Sequence, residues 1–66
     1  MNRELFEEGK VVEILPSAQY RLELRDGKTI RAYLCGKMRM HHIKVILGDR
    51  VSVLVSGEIG RIMRRL

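Results

Sequence analysis

At 66 residues, with 13 Lys and Arg against 8 Asp and Glu, the chain is small and basic, and a chain of this size buries only about 60% of the surface its unfolded form exposes. One cysteine excludes an intrachain disulfide, and no apolar run approaches the roughly 20 residues that span a bilayer. The charged opening MNRELFEEGK does not read as the core of a signal peptide, so a cytoplasmic chain with no membrane partner is expected.

The charge is segregated along the chain. Residues 1–27 hold four basic and six acidic side chains, whereas residues 28–66 hold nine basic against Asp49 and Glu58. A one-sided positive field concentrates polyanions and speeds their association, which puts nucleic acid first among partners. A basic surface that merely keeps the protein soluble is the plain alternative.

The first element, GKVVEIL over 9–15, is rich in β-branched residues and stops at Pro16, which cannot donate to a ladder; Pro16-Ser17 is a turn. YRLELR over 20–25 alternates, with Tyr20, Leu22 and Leu24 on one face and Arg21, Glu23 and Arg25 on the other. Asp26-Gly27 predicts a tight hairpin. KTIRAYL over 28–34 resumes the alternation, with Ile30, Ala32 and Leu34 inward and Thr29, Arg31 and Tyr33 outward.

Gly36 breaks that pattern, and KMRMHHIK over 37–44 contains no Gly or Pro, so two turns of helix are expected there. Met38, Met40 and Ile43 share no single stripe, which argues against the segment packing into the core. Gly48-Asp49 is a turn, RVSVLV over 50–55 alternates again, and IGRIMRR over 59–65 makes a last strand with Gly60 as a bulge. Residues 1–66 thus read as a single all-β domain. Five short strands with a helix between the third and fourth describe a five-stranded OB-fold barrel, whose strand 2–3 face commonly binds oligonucleotides. A small SH3-like barrel is the competing architecture.

Candidate binding residues follow from this layout. On a helix over 37–44, Lys37, His41 and Lys44 fall within about 60° of one another. With Arg39 they offer charge-assisted hydrogen bonds to phosphate. Arg31 and Tyr33 share the outward face of the third strand, beside Arg21 and Arg25 on the second. An exposed aromatic among arginines suits the stacking of an unpaired base, although Tyr33 could equally cover its neighbours. Tyr20 shares the phase of Leu22 and reads as core. Arg61, Arg64 and Arg65 crowd the C-terminal strand, Arg65 being the weakest candidate. His41 and His42 with Cys35 lack the ligand number and spacing of a zinc site, so no metal is expected, and the imidazoles fit RNA contacts or plain surface positions. No nucleophile–base–orienter set and no phosphate-cradling glycine loop is visible, so neither catalysis nor a cofactor is implied.

Several blocks resemble bacterial translation initiation factor one. LPSAQYRLEL is similar to that family's Leu-Pro-Asn-x-x-Phe-Arg-Val-x-Leu, AYLCGKMR to its Ala-His-Ile-Ser-Gly-Lys-Met-Arg, IKVILGDRV to its Ile-Arg-Ile-Leu-x-Gly-Asp-x-Val, and GRI at 60–62 to its Gly-Arg-Ile. The resemblance implies an S1-like OB-fold without enzymatic activity, acting as a monomer in translation initiation. Its expected partners are the RNA of the small ribosomal subunit at the aminoacyl-tRNA site, ribosomal protein S12, and initiation factors two and three. It adds support for Lys37, Arg39 and Arg61 as RNA contacts. The chain departs from the family in its connection before the last strand, cut here to Ser56-Gly57-Glu58-Ile59-Gly60. It also carries Tyr33 where a histidine is common and Cys35 where a serine is. Two other roles compete: a general single-stranded RNA binder or chaperone, and a barrel that docks a protein partner.

Overall fold

The computed structural model describes residues 5–66. Five strands, β1 (Leu5–Leu15), β2 (Gln19–Leu24), β3 (Thr29–Leu34), β4 (Arg50–Ser56) and β5 (Ile59–Arg65), close in the order β1-β2-β3-β5-β4. One helix, α1 (Gly36–Met40), lies between β3 and β4. The barrel is all-β apart from that helix. The β3–β5 pair is parallel and the other four are antiparallel.

Period-two patterning builds the core. Leu22, Val11, Val51, Val53 and Ile62 are fully buried, and Tyr20 joins them, each apolar side chain contributing about 1.5–3 kcal/mol on burial. The inward and outward phases of β2 and β3 are as the alternation predicts. Gly60 sits where β5 crosses the packed interior. A Cβ there would come within 2.6 Å of Val53 Cγ2 and 2.8 Å of Ile30 Cδ1.

The first strand is longer than its β-branched run predicts. It begins at Leu5, because Leu5–Lys10 pair with β4 while Gly9–Leu15 pair with β2. LFEE has no alternation of its own to announce this. An extra residue, Val12, lies between the register positions Val11↔Leu22 and Glu13↔Arg21, and such a bulge bends a strand so that it can serve two neighbours.

The Asp26-Gly27 turn also differs from the expected two-residue form. Leu24 N–H donates to the Lys28 carbonyl at 2.8 Å and Gly27 N–H to the Leu24 carbonyl at 2.9 Å. Gly27 alone of the loop takes a left-handed φ, +87°, and the Asp26 carboxylate accepts from Lys28 N–H at 2.9 Å. This is a three-residue loop, a turn followed by a glycine bulge. β2 therefore ends at Leu24, and Arg25 belongs to the turn rather than to the strand face.

The helix is shorter than predicted. His42 N–H donates to the Arg39 carbonyl and Ile43 N–H to the Met38 carbonyl, at 3.2 and 3.0 Å, with His42 left-handed at φ +53°. These two bonds are the Schellman stop, in which glycine usually holds the left-handed position. Histidine takes it here, so Lys44 lies off the helix and the predicted Lys37–His41–Lys44 face does not form. Met38, against expectation, is buried in the core. The register shift in the β4–β5 pair leaves Met63, not Gly60, as the extra residue.

Candidate nucleic-acid interface

Strand register assembles the outward surface. Arg21 lies opposite Arg31 and Gln19 opposite Tyr33 across β2–β3, and Tyr33 lies beside Arg61 across β3–β5. The Arg61 guanidinium carbon stands 6.0 Å from the Tyr33 ring centroid, at the outer limit of a cation–π contact. Arg39 reaches the same end of the face from α1. Its Nε donates to the Leu34 carbonyl at 3.3 Å, and a cleft of about 260 Å³ runs between Arg39, Tyr33 and the Ser17–Ala18 turn. A second groove, about 550 Å³, is lined by Arg21, Lys28, Arg31, Glu58 and Ile59.

Electrostatics divide the cations into two sets. Arg21 Nε meets Glu13 Oε1 at 2.9 Å, Glu8 bridges Arg50 at 3.3 Å and Arg25 at 3.8 Å, and Arg65 meets Asp49 at 3.4 Å. Two arginines directly opposed across a ladder repel, and Glu13 offsets this for Arg21 and Arg31. Among the described residues no carboxylate pairs with Arg31, Lys37, Arg39, Lys44 or Arg64. The surface thus presents guanidinium groups whose hydrogen-bonding edges remain available to phosphate, arranged around a half-buried tyrosine.

The residues expected from sequence do not all converge. Arg31, Tyr33, Arg39 and Arg61 form one cluster, and Arg21 adjoins it with its charge already engaged by Glu13. Lys37 is exposed on α1, and His41 and His42 are exposed where the helix ends. Lys44 stands in the loop beyond, and Arg64 lies further along β5, opposite Ser52. Arg25, placed beside Arg31 by the alternation, instead turns to Glu8 on β1. Among the described residues no group of three or more His, Cys, Asp or Glu is placed to hold a metal ion. Cys35 is buried, with Sγ 3.9 Å from the Met63 carbonyl. None of the described helices is long and apolar enough to cross a membrane.

Lys28 and Gln19 were not singled out from sequence, yet they line the two clefts. The register of the β2–β3 hairpin would have found Gln19, which faces Tyr33 just as Arg21 faces Arg31. Nothing local marks Lys28, which enters its groove only because β5 docks beside β3.

Comparison with known proteins adds to this geometry. The family model described as translation initiation factor 1A / IF-1 matches residues 1–66. Among solved structures, the chain is similar to translation initiation factor one from the wolbachia endosymbiont strain TRS of Brugia malayi. That likeness has 38% identity and a TM-score of 0.81, and it covers 96% of this chain and 78% of the other. It is also similar to YjeQ from Thermotoga maritima, at 31% identity and a TM-score of 0.74, covering 94% of this chain but only 23% of YjeQ. The second likeness therefore concerns one portion of a longer protein.

Proposed function

Because the chain belongs to the translation initiation factor 1A / IF-1 family, which is not an enzyme class, we propose that it serves translation initiation by docking on the small ribosomal subunit through ribosomal RNA at the aminoacyl-tRNA site. Residues 1–66 act in this reading as one S1-like OB domain, monomeric and cytoplasmic. Arg31, Arg39 and Arg61 meet backbone phosphates, and Tyr33 stacks an unpaired base. Lys37, Lys44 and Arg64 extend the contact, with His41 and His42 at its border and Arg21 steadied by Glu13. Phosphate contacts position the factor without reading sequence, so selectivity comes from the shape of the RNA. Ribosomal protein S12 and initiation factors two and three are the expected protein neighbours.

The observation that carries the proposal is Tyr33 with Arg61 beside it on β5, Arg39 of α1 across a shared cleft, and Arg31 on the same outward face of β3. The test is co-sedimentation with purified small subunits at physiological salt, in competition with aminoacyl-tRNA. Binding that aminoacyl-tRNA displaces is expected. Equal affinity for unstructured RNA and for small subunits would overturn the ribosomal role in favour of a general RNA binder.

A further inference from the structure

Phe6 plays no part in the interface described so far, and it is 68% exposed. It lies on the outward face of β1 opposite Leu54 on β4, and Leu54 lies opposite Arg61 on β5. One outward row therefore runs Phe6, Leu54, Arg61, Tyr33 across β1, β4, β5 and β3. With neighbouring strands about 4.8 Å apart, the backbone positions of Phe6 and Tyr33 are roughly 14 Å from each other along the row. Arg61 lies between them. A cleft of about 180 Å³ opens on the Arg61 side of Leu54, bounded by Tyr33 and Ile59. A second, about 210 Å³, opens beside Phe6, lined also by Glu7, Glu8, Ser52 and Leu66.

We infer that Phe6, packed beside Leu54, is a second base-stacking platform, so that single-stranded RNA crosses the barrel from β3 over β5 and β4 to β1, with bases on Tyr33 and Phe6 and a phosphate at Arg61. This rests on the RNA-binding reading given above and extends the site beyond the face of β2 and β3. Two features favour a nucleobase over a protein partner. The apolar surface is small, Phe6 and Leu54 with the exposed Leu66 at its side, and it has Arg61 beside it and Arg64 in the next outward row opposite Ser52. Protein interfaces instead have apolar cores depleted of charge and bury on the order of 1,000 Å² or more. Of the two carboxylates that line the cleft beside Phe6, Glu8 is already held by Arg50 and Arg25, which leaves Glu7 as the acidic group the incoming strand passes. Stacking on an exposed aromatic tolerates any base, which suits a factor that recognises RNA by shape.

The test compares the full chain with Phe6→Ala, Phe6→Leu, Phe6→Trp and, as a reference, Arg39→Ala. Binding is measured to small subunits and to a short oligouridylate carrying a photoreactive thiouridine. Phe6→Ala and Phe6→Leu are expected to weaken both affinities about fivefold or more, and Phe6→Trp to preserve them. In the wild-type protein the crosslink is expected on the peptide that contains Phe6. Phe6→Leu binding as well as wild type, or a crosslink that avoids this peptide, would overturn the stacking role. If Phe6→Leu retains small-subunit binding that Phe6→Ala loses, the contact is an apolar one to protein. Failure of Arg39→Ala to weaken binding would instead strike the underlying RNA-binding reading, so the two failures are distinguishable.

Discussion

Two groups of arginines on the same barrel show how differently equal charges can be employed. On the face of β3 and β5, Arg31 is in no ion pair among the described residues, and Arg39 spends one N–H on a backbone carbonyl. Around β1 and β4, a single carboxylate, Glu8, engages both Arg25 and Arg50. The formal net charge counts all four alike. Strand pairing decides which of them can meet an external phosphate, because it sets Glu8 within reach of one group and leaves the other beside Tyr33. A basic composition therefore indicates that a polyanion is welcome, and the register indicates where.

Substitutions can break or sharpen this contrast. The largest effect is expected from Arg31→Ala with Arg39→Ala. Hydrogen bonds to charged groups contribute about 1.5–3 kcal/mol, so each change should weaken small-subunit binding roughly tenfold to a hundredfold. Each should also flatten the slope of log affinity against log salt by about 0.7–1. A titration at several salt concentrations reads both quantities, and an unchanged affinity in the double variant would remove this cluster from the site.

Next in size is a change to the frame that carries the contrast. Gly60→Ala drives a methyl group against Val53 and Ile30, and the overpacking is expected to cost about 1–3 kcal/mol in thermal or chemical unfolding. RNA affinity should fall with it, because Tyr33 and Arg61 are brought side by side only where β5 passes Gly60. Normal stability in this variant would mean that the interior yields more easily than the close approach implies.

A smaller gain is expected from Glu13→Gln. It frees Arg21, whose solvent-exposed pair contributes about 0.2–1 kcal/mol, so RNA affinity should rise up to about fivefold while stability falls slightly. Weaker binding would show that Glu13 orients Arg21 for contact rather than occupying it. The smallest effect belongs to Arg25→Ala with Arg50→Ala. Both side chains are largely exposed and face Glu8, so small-subunit affinity should stay within about twofold of wild type, inside the range of a single surface ion pair. A loss matching that of Arg31→Ala would erase the distinction between the two groups.

The legible parts of this molecule are those whose signals are local. The alternation of Tyr20, Leu22 and Leu24 and of Ile30, Ala32 and Leu34 predicts both the β2–β3 hairpin and its buried face. Arg31 and Tyr33 follow from that phase as outward residues. The stop at His42 was not readable, since the left-handed position lacks its customary glycine, and the helix pattern runs on through Ile43 and Lys44. The first part of β1 was equally silent, because Leu5–Glu8 become a strand through pairing with β4 at the far end of the chain. That omission hid Phe6. Proximity of Arg61 to Tyr33 depends on barrel closure, for which no stretch of sequence carries a mark of its own, whereas Arg39 arrives locally, its Nε donating to the carbonyl of Leu34 at the end of β3.

The parallel seam between β3 and β5 has a kinetic consequence. Its partners are distant in the chain, as Tyr33 and Arg61 are, and pairings of that kind are slow to assemble. Tyr33 and Arg61 face each other only once that pairing is complete. A half-closed barrel would therefore hold correct strands and a core in part, yet lack a place for the nucleotide. Ligand present during refolding should act as a stitch across the seam, favouring the closed form and raising the melting temperature as its concentration increases.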